Sequence, residues 1–233
     1  MKSGFWVIVP AAGSARRMGA AVPKQYLPLV GRTVIEWSLA PFVAHERAAG
    51  IVVVLAERDQ RWSHTTLARH AKIVTTTGGA QRMDSVLAGL AVLQSRAAPD
   101  DWVLVHDAAR PCLAAADVES LLHELRDDAV GGLLAAPVVD TLKRADDGGR
   151  IAQTVARDKL WRALTPQMFR RDILQRALEA ALANGVTVTD EAQAVEALGL
   201  QPKLVAGDAD NIKITLPEDL PRAERILKSR SAA

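Results

Sequence analysis

Residues 5–13, FWVIVPAAG, place a nearly continuous apolar run directly before a loop of small residues. A short run without polar alternation is typical of a strand that is covered on both faces in a parallel sheet. Further runs of the same character are GIVVVLA (50–56), AKIVTTT (71–77), DWVLVHDA (101–108) and GGLLAAPV (131–138). These runs are the predicted strands of one sheet.

Amphipathic segments lie between the predicted strands. Thr33 and Glu36 in TVIE have the spacing of a capping box, which marks the start of a helix. The segments RMDSVLAGLAVLQS (82–95) and DVESLLHEL (117–125) each carry apolar residues at helical spacing. This alternation predicts an α/β fold, with a mostly parallel, twisted, Rossmann-like sheet flanked by helices in a single domain over residues 1–233.

One stretch interrupts this alternation. In VVDTLKRADDGGRIAQTVARDKLW (138–161) two alternating runs flank ADDGGR, a strong turn signal, so we predict an inserted β-hairpin. Residues 138–160 are expected to form a protruding arm, since such insertions often make oligomer contacts or lids. The remaining predicted elements are a helix over MFRRDILQRALEAALANG (168–185), a helix start at Thr189, a strand pair around KLVAG (203–207) and NIKIT (211–215), and a last helix from Pro217.

Composition excludes several classes of protein. The 233 residues contain a single cysteine, Cys112, which excludes an internal disulfide framework and a cysteine zinc cluster. The formal net charge is +2, with acids and bases interspersed, so we expect no dedicated nucleic-acid surface. No apolar stretch approaches the ~20 residues of a membrane helix, and the apolar run at the N-terminus is too short for a signal peptide. We therefore expect a cytoplasmic enzyme without membrane or nucleic-acid partners.

The loop after the first predicted strand concentrates positive charge. Ala11, Ala12 and Gly13 would allow a ligand to approach the backbone closely, and Arg16, Arg17 and Lys24 could bind phosphate. The loop matches neither the Walker A pattern nor GxGxxG. A solvated basic turn is the alternative, and the position after the first strand favours phosphate binding because ligands bind beyond the carboxyl ends of such strands.

Three further polar clusters follow predicted strands. Gly78 and Gly79 precede a helix start near Ser85, where backbone could approach a base or a phosphate, although an ordinary strand-to-helix turn has the same pattern. Asp107, with Arg110 close by, could bind a magnesium–phosphate complex or could cap a helix. Asp208, Asp210 and Lys213 form either an Asx-rich turn or a metal and phosphate site.

Taken together, the clusters resemble the 2-C-methyl-D-erythritol 4-phosphate cytidylyltransferases of the non-mevalonate isoprenoid pathway. The motifs that carry the resemblance occur in the family's order over nearly the whole chain: PAAGSARRMGAAVPKQYL, GGAQRMDSVLAGL, VLVHDAARPC, APVVDTLKR, LWRALTPQMF, TDEAQAVEALG and ADNIKIT. The resemblance implies a Rossmann-like nucleotidyltransferase fold of the GT-A type, a homodimer joined through the hairpin arm, and a Mg²⁺-dependent reaction of CTP with methylerythritol phosphate that releases pyrophosphate.

The resemblance also implies roles for individual residues. It implies that Arg17, Lys24 and Lys213 are catalytic and contact the phosphates. The implied nucleotide pocket comprises these three residues with Ala11, Ala12, Gly13, Gly79, Ser85 and Asp107. The implied metal ligands are Asp107 and Asp210. The implied acceptor site comprises Arg110, Thr141, Arg157, Thr165 and Thr189, of which Thr141 and Arg157 would come from the partner's arm.

Two positions depart from the family pattern. Ala15 stands where the family often has a second glycine, and Ala80 stands where some relatives have an acidic residue. The alternatives are a ribitol-5-phosphate cytidylyltransferase, which would differ on the acceptor side, and a catalytically inactive nucleotide-binding regulator. Retention of Arg17, Lys24, Asp107 and Lys213 argues against an inactive regulator. Since the chain ends soon after its last predicted helix, we expect the monofunctional form of the family.

Overall fold

The computed structural model describes residues 4–13 and 22–231. The strands, in chain order, are β1 (Phe5–Pro10), β2 (Pro28–Leu29), β3 (Arg32–Thr33), β4 (Ala48–Leu55), β5 (Ile73–Thr77), β6 (Trp102–Val105), β7 (Gly131–Pro137), β8 (Leu142–Ala145), β9 (Ile151–Val155), β10 (Trp161–Arg170) and β11 (Lys203–Ala206). The α-helices are α1 (Val34–Ala44), α2 (Arg82–Leu93), α3 (Ala115–Glu124), α4 (Arg171–Ala183), α5 (Glu191–Ala197) and α6 (Asp219–Ser231). In this described part, no helix has the length and apolar character needed to cross a bilayer.

The central sheet has seven strands in the part of the chain that the structure describes, in the order β11-β7-β10-β6-β1-β4-β5. The pairs β1–β4, β1–β6, β4–β5 and β7–β11 are parallel, whereas β10 is antiparallel to both of its neighbours. The mostly parallel sheet flanked by helices confirms the predicted fold class. Its parallel strands direct their carboxyl ends to one edge of the sheet, where ligands bind in such folds.

Helices cover both faces of the sheet, which explains the continuous apolar runs. Alternate residues of β1 point to opposite sides: Val7 and Val9 belong to one buried cluster and Ile8 to the other. The first cluster includes apolar residues of α1 and α3, and the second includes residues of α2 and α4. Because both faces are buried, the strands β1, β4, β6 and β7 carry apolar or small residues at nearly every position.

The predicted capping box at the start of α1 is confirmed, and its carboxylate also reaches a distant loop. Glu36 Oε2 accepts hydrogen bonds from the backbone N and Oγ1 of Thr33, both at 2.7 Å. Glu36 Oε1 accepts from the backbone N and Oγ1 of Thr66, at 2.7 and 2.6 Å. Burial alone would raise the pKa of Glu36, but these four donors outweigh burial and lower it to about 2.

The structure forms an antiparallel pair, β8 and β9, on either side of the predicted turn. Asp146 Oδ1 accepts hydrogen bonds from the backbone N of Gly148 and Arg150 at 3.0 and 2.8 Å. Gly149 has a φ of +74°, a conformation that glycine adopts without strain. The role of residues 138–160 as a dimerisation arm stays a prediction.

Three sequence predictions need correction. Residues 211–215, NIKIT, do not form a strand, because their backbone pairs with turns and loops: Ile214 N donates to Ala109 O at 2.8 Å. The stretch from Trp161 to Arg170 is a core strand rather than the approach to a helix at Met168, and α4 begins at Arg171. The last helix begins at Asp219, whose Oδ2 accepts from the backbone N of Thr215 and Leu216 at 2.8 Å.

Candidate active site

A cleft of about 260 Å³ opens at the carboxyl ends of β1 and β6. Its walls come from the loop after β1, the start of α2, the segment after β6 and the segment after β11. The lining residues are Pro10, Ala11, Ala12, Gly13, Lys24, Gln25, Gly79, Ala80, Gln81, Arg82, Ser85, Asp107, Ala108, Ala109 and Lys213. Each of the four predicted polar clusters thus contributes at least one residue to this cleft.

The described part of the first loop is fixed by hydrogen bonds to its backbone. Ala11 N donates to Val54 O at 2.7 Å, which extends the pairing of β1 with β4. The buried Gln25 donates from Nε2 to Ala11 O at 2.7 Å and to Gly13 O at 3.4 Å. The loop is therefore tethered to the body of the protein at the point where it enters the cleft.

Lys24 begins a short 3₁₀ helix, Lys24–Tyr26, and lines the cleft. Its Nζ donates to Ile214 O at 2.8 Å, so the first loop is joined to the segment that carries Lys213. The predicted catalytic residue Arg17, together with Arg16 and Ala15, lies outside the described residues.

The two glycines after β5 pack closely against α2 and the loop after β1. A Cβ at Gly78 would lie 2.5 Å from Ser85 Oγ and 2.9 Å from Ala12 Cβ, and one at Gly79 would lie 2.4 Å from Asp84 Cβ. Ser85 is buried, and its Oγ donates to Gln81 O at 3.3 Å. Because a side chain at either position would clash with neighbouring protein atoms, both positions require glycine, and Gly79 lines the cleft with backbone atoms alone.

Asp107 lies at the centre of a buried charge cluster. Its Oδ1 is 3.1 Å from Arg82 Nε, and its Oδ2 is 2.8 Å from Lys213 Nζ. Arg110 Nε lies 3.6 Å from the same Oδ2. Burial alone would raise the pKa of Asp107, but the neighbouring cations outweigh burial and hold the pKa well below its usual range. Asp107 is thus an ionised carboxylate at neutral pH.

Thr165 supports Asp107 from beneath the cleft. Its Oγ1 accepts from Asp107 N at 3.2 Å and lies 2.9 Å from His106 Nδ1, to which the hydroxyl proton is donated. His106 Nε2 then carries the ring proton and donates to Arg110 O at 3.2 Å. Burial lowers the pKa of His106 to about 4, so the ring is neutral at physiological pH. The structure gives His106 and Thr165 a supporting position behind the cleft lining.

Arg110 is held by the segment before Lys213. Its NH1 donates to Asn211 O at 2.6 Å, and Asn211 Nδ2 donates to Thr165 O at 2.7 Å. Among the residues that the structure describes, Arg110 Nε and Asn211 Oδ1 are buried without a hydrogen-bond partner, although Arg110 Nε lies 3.6 Å from Asp107 Oδ2. Arg110 is thus held between Asp107 and Asn211, and its contact with the acceptor phosphate stays a prediction.

Two residues with direct contacts to this cluster received no role from the sequence. Arg82, the first residue of α2, contacts Asp107 and makes a two-pronged ion pair with Glu191, the first residue of α5. Both residues lie in motifs that resemble the family, GGAQRMDSV and TDEAQAVEALG. Their partnership joins positions 109 residues apart, and no local pattern signals it.

The remaining predicted acceptor residues are exposed and lie outside the cleft lining. Thr141 is exposed, and the exposed Arg157 donates from NH1 to Val139 O. Thr189 is exposed and donates from Oγ1 to Gln193 Oε1 at 3.0 Å. Because Thr141 and Arg157 are predicted to act in a partner's site, their distance from this cleft does not test that prediction.

The two predicted metal ligands occupy different environments. Asp107 is buried, ionised and part of the cleft lining. Asp210 is exposed, lies outside that lining, and its Oδ1 is 4.0 Å from Arg222 NH2. Magnesium usually takes one or two carboxylates and completes its shell with phosphate oxygens and water. Asp107 fits that requirement, and the metal-binding roles of both residues stay predictions.

The chain matches the family model described as IspD, 2-C-methyl-D-erythritol 4-phosphate cytidylyltransferase, over residues 5–229. It is 54% identical over 222 residues to the 2-C-methyl-D-erythritol 4-phosphate cytidylyltransferase of Pseudomonas aeruginosa (strain UCBPP-PA14), and the match covers 95% of each chain.

Solved structures show the same likeness. A 4-diphosphocytidyl-2C-methyl-D-erythritol synthase shares 39% identity with a TM-score of 0.84, covering 97% of this chain and 99% of that one. The Francisella tularensis 2-C-methyl-D-erythritol 4-phosphate cytidylyltransferase shares 35% identity with a TM-score of 0.84, covering 96% of this chain and 100% of that one.

Proposed function

Because the chain belongs to the 2-C-methyl-D-erythritol 4-phosphate cytidylyltransferase family, we propose that it joins this phosphate to CTP and releases pyrophosphate. The product is 4-diphosphocytidyl-2-C-methyl-D-erythritol. The single observation that carries the proposal is the cleft in which Lys24, Asp107 and Lys213 meet a glycine-walled pocket at the carboxyl edge of the sheet. A cytoplasmic location agrees with the single, buried cysteine.

The chemistry needs no general base. The attacking group is a phosphate monoester, whose second pKa of about 6 leaves it largely dianionic at neutral pH. In-line attack of its oxygen on the α-phosphorus of CTP forms the new P–O bond and breaks the bond to pyrophosphate. The protein must therefore overcome repulsion between two anions and hold them in line.

The cations of the cleft offset this repulsion. Lys24 and Lys213 line the cleft, and we assign them to the phosphates, together with Arg17. Fixed positive charge that is aimed at developing negative charge stabilises the transition state, more strongly in a partly dehydrated cleft than in water. Gly79 and Ser85 belong to the wall that we assign to the nucleotide.

Asp107 is the carboxylate that would hold Mg²⁺ beside the phosphates, with Asp210 as the second predicted ligand. When bound, the ion supplies charge neutralisation and orientation of the phosphate oxygens. The protein's own contribution is an ionised carboxylate, kept in place by Thr165 and by the surrounding cations.

We assign the acceptor to Arg110, Thr165 and Thr189 of one subunit, completed by Thr141 and Arg157 from the arm of a second copy. The region around the arm exposes apolar side chains: Val139 is 72% exposed, Ile151 67%, and Leu160 and Trp161 38% each. Exposed apolar side chains in one region are typical of a protein interface, and they support a homodimer through residues 138–160.

A pyrophosphate-release assay with Mg²⁺ tests the proposal. We expect turnover with CTP and methylerythritol phosphate, and much lower turnover when ATP, GTP or UTP replaces CTP. Ribitol 5-phosphate in the same assay tests the alternative acceptor. Preference for ribitol 5-phosphate would contradict the assigned acceptor, and no turnover with either acceptor would favour an inactive nucleotide-binding regulator.

A further inference from the structure

Arg82 bridges two carboxylates that come from opposite sides of the site. Its Nε donates to Asp107 Oδ1 at 3.1 Å, while NH1 and NH2 donate to Glu191 Oε1 and Oε2 at 2.5 and 3.0 Å. A two-pronged contact of this kind fixes the plane of the guanidinium as well as its position. The direction of the third bond, to Asp107, is thereby fixed too.

Glu191 is itself firmly held. Its side chain is 1% exposed, and the start of α5 is held by Gln167, which donates to Asp190 Oδ2 at 3.0 Å and accepts from Ala192 N at 2.8 Å. Gln167 lies on β10 opposite Val105 of β6, two residues before Asp107. Glu191 and Asp107 therefore share one rigid base, the β6–β10 ladder.

Glu191 lowers the net positive charge of the cluster around Asp107. Three cations, Arg82, Arg110 and Lys213, surround two carboxylates, Asp107 and Glu191, so the formal sum is 3 − 2 = +1. Without the charge of Glu191, the sum becomes +2, and Asp107 would be the remaining ion-pair partner of Arg82 within the described residues. Within the described residues, the ion-pair partner of Glu191 is Arg82.

We propose that Arg82 is a positioning residue, clamped by Glu191, which sets the orientation of the Asp107 carboxylate for cytidylyl transfer. The inference rests on the proposed function, since it assigns a task to the same cleft. The ion pair also links the two sides of the site. Glu191, two residues after the acceptor candidate Thr189, contacts Arg82, which lines the cleft on the nucleotide side.

A purely structural role for the pair would be to hold α5 against α2. Removing one member of a buried ion pair strands its partner and destabilises the fold, whereas replacing both members is far better tolerated. The decisive comparison is therefore between wild type and the double variant Arg82→Gln with Glu191→Gln, which leaves no buried charge unpaired. Asp172→Asn is the matched control, because it removes an exposed ion pair with Arg176 on α4.

We expect the double variant to fold, with a Tm within about 3 °C of wild type, and its kcat to fall at least tenfold. CTP binding by calorimetry should change less than threefold, since the cations assigned to the phosphates are retained. Asp172→Asn should leave kcat unchanged. A double variant that folds and keeps kcat within twofold of wild type would show that the pair is structural, and would overturn the proposal.

A crystal structure of the double variant separates this inference from the proposed function. We expect the Asp107 carboxylate to rotate away from its wild-type orientation once its Arg82 bond is lost. A carboxylate that superposes on the wild-type atoms would overturn the inference, even in an active enzyme. Failure of wild type to release pyrophosphate would instead overturn the proposed function, and the orientation of Asp107 would still decide the positioning role.

Discussion

Lys24 Nζ donates a 2.8 Å hydrogen bond to the carbonyl oxygen of Ile214, 190 residues further along the chain. Ile214 follows Lys213, whose Nζ lies 2.8 Å from Asp107 Oδ2, and Ile214 N donates to Ala109 O at 2.8 Å. The two lysines assigned to phosphate are thus held on one continuous hydrogen-bonded frame that also carries Asp107.

Replacement of Lys24 by alanine is expected to lower kcat for product formation by about 10²–10³-fold, the cost typical of removing one donor to transition-state charge. Pyrophosphate release at saturating CTP and acceptor measures this effect. Lys203→Ala is the control, because Lys203 pairs with Glu124 on the surface and should leave kcat unchanged. A kcat near wild type in Lys24→Ala would remove the catalytic assignment of this residue.

Replacement of Arg157 by alanine is expected to raise the KM for methylerythritol phosphate by roughly 10–100-fold, because it removes a charge-assisted hydrogen bond of about 1.5–3 kcal/mol. The KM for CTP should change little. Steady-state kinetics with each substrate varied in turn separates the two constants. Arg144→Ala, on the neighbouring strand β8, is the control on the same arm. A selective loss of CTP affinity in Arg157→Ala would contradict the acceptor assignment.

Glu36 is expected to make stability fall at acidic pH. Its pKa is lowered to about 2 in the folded protein, against 4.5 ordinarily, so the unfolded chain binds its proton first as pH falls. The stabilisation is complete above about pH 4.5 and is lost progressively towards pH 2. At about 1.4 kcal/mol per pH unit, the contribution reaches roughly 3 kcal/mol.

Urea unfolding of wild type and Glu36→Gln between pH 3 and 6 measures this contribution. The free energy of unfolding should differ most at pH 6, and the difference should shrink as pH falls. Asp127→Asn, at an exposed surface pair with Arg126, is the control. An equal difference at every pH would show that the carboxylate of Glu36 does not titrate as the structure indicates.

Gly78→Ala is expected to destabilise the protein by roughly 1–3 kcal/mol, because the new methyl group meets Ser85 Oγ at 2.5 Å and Ala12 Cβ at 2.9 Å. For a chain of this size that corresponds to a fall in Tm of about 2–12 °C. Gly148→Ala is the matched control, since its nearest atom would lie at an ordinary 3.4 Å. Equal Tm values for the two variants in thermal melts would show that the wall after β5 is not tightly packed.

The sequence predicted those elements whose signals are local. Runs such as FWVIVP were interpreted as buried strands from their continuous apolarity, and Thr33 with Glu36 was interpreted as a helix start from spacing alone. The family resemblance is confirmed by the match over residues 5–229. The resemblance also predicted that Lys24, Asp107 and Lys213 share one pocket, and all three line the cleft.

The missed features depend on distant partners. Strand β10 was overlooked because Pro166 and two arginines interrupt its apolar pattern, although Gln167 and Phe169 pair with β6 deep in the sheet. NIKIT has a strand-like composition but pairs with no strand within residues 4–13 and 22–231. Arg82 and Glu191 each resemble an ordinary helix-start residue, and only the folded chain shows that they meet.

The pairing of strand β10 with β7 is interrupted between its outer and inner halves. Its pairing with β7 advances from Ala163 to Gln167 while β7 advances only from Ala135 to Leu133, so two surplus residues are accommodated at Leu164–Pro166. Thr165 sits in this surplus. Because side chains alternate along a strand, deletion of one residue there would move the side chains of either the arm-side or the core-side half to the opposite face of the sheet. The number of residues between Ala163 and Gln167 therefore determines which side chains of the arm and of the floor of the cleft lie on the same face of β10.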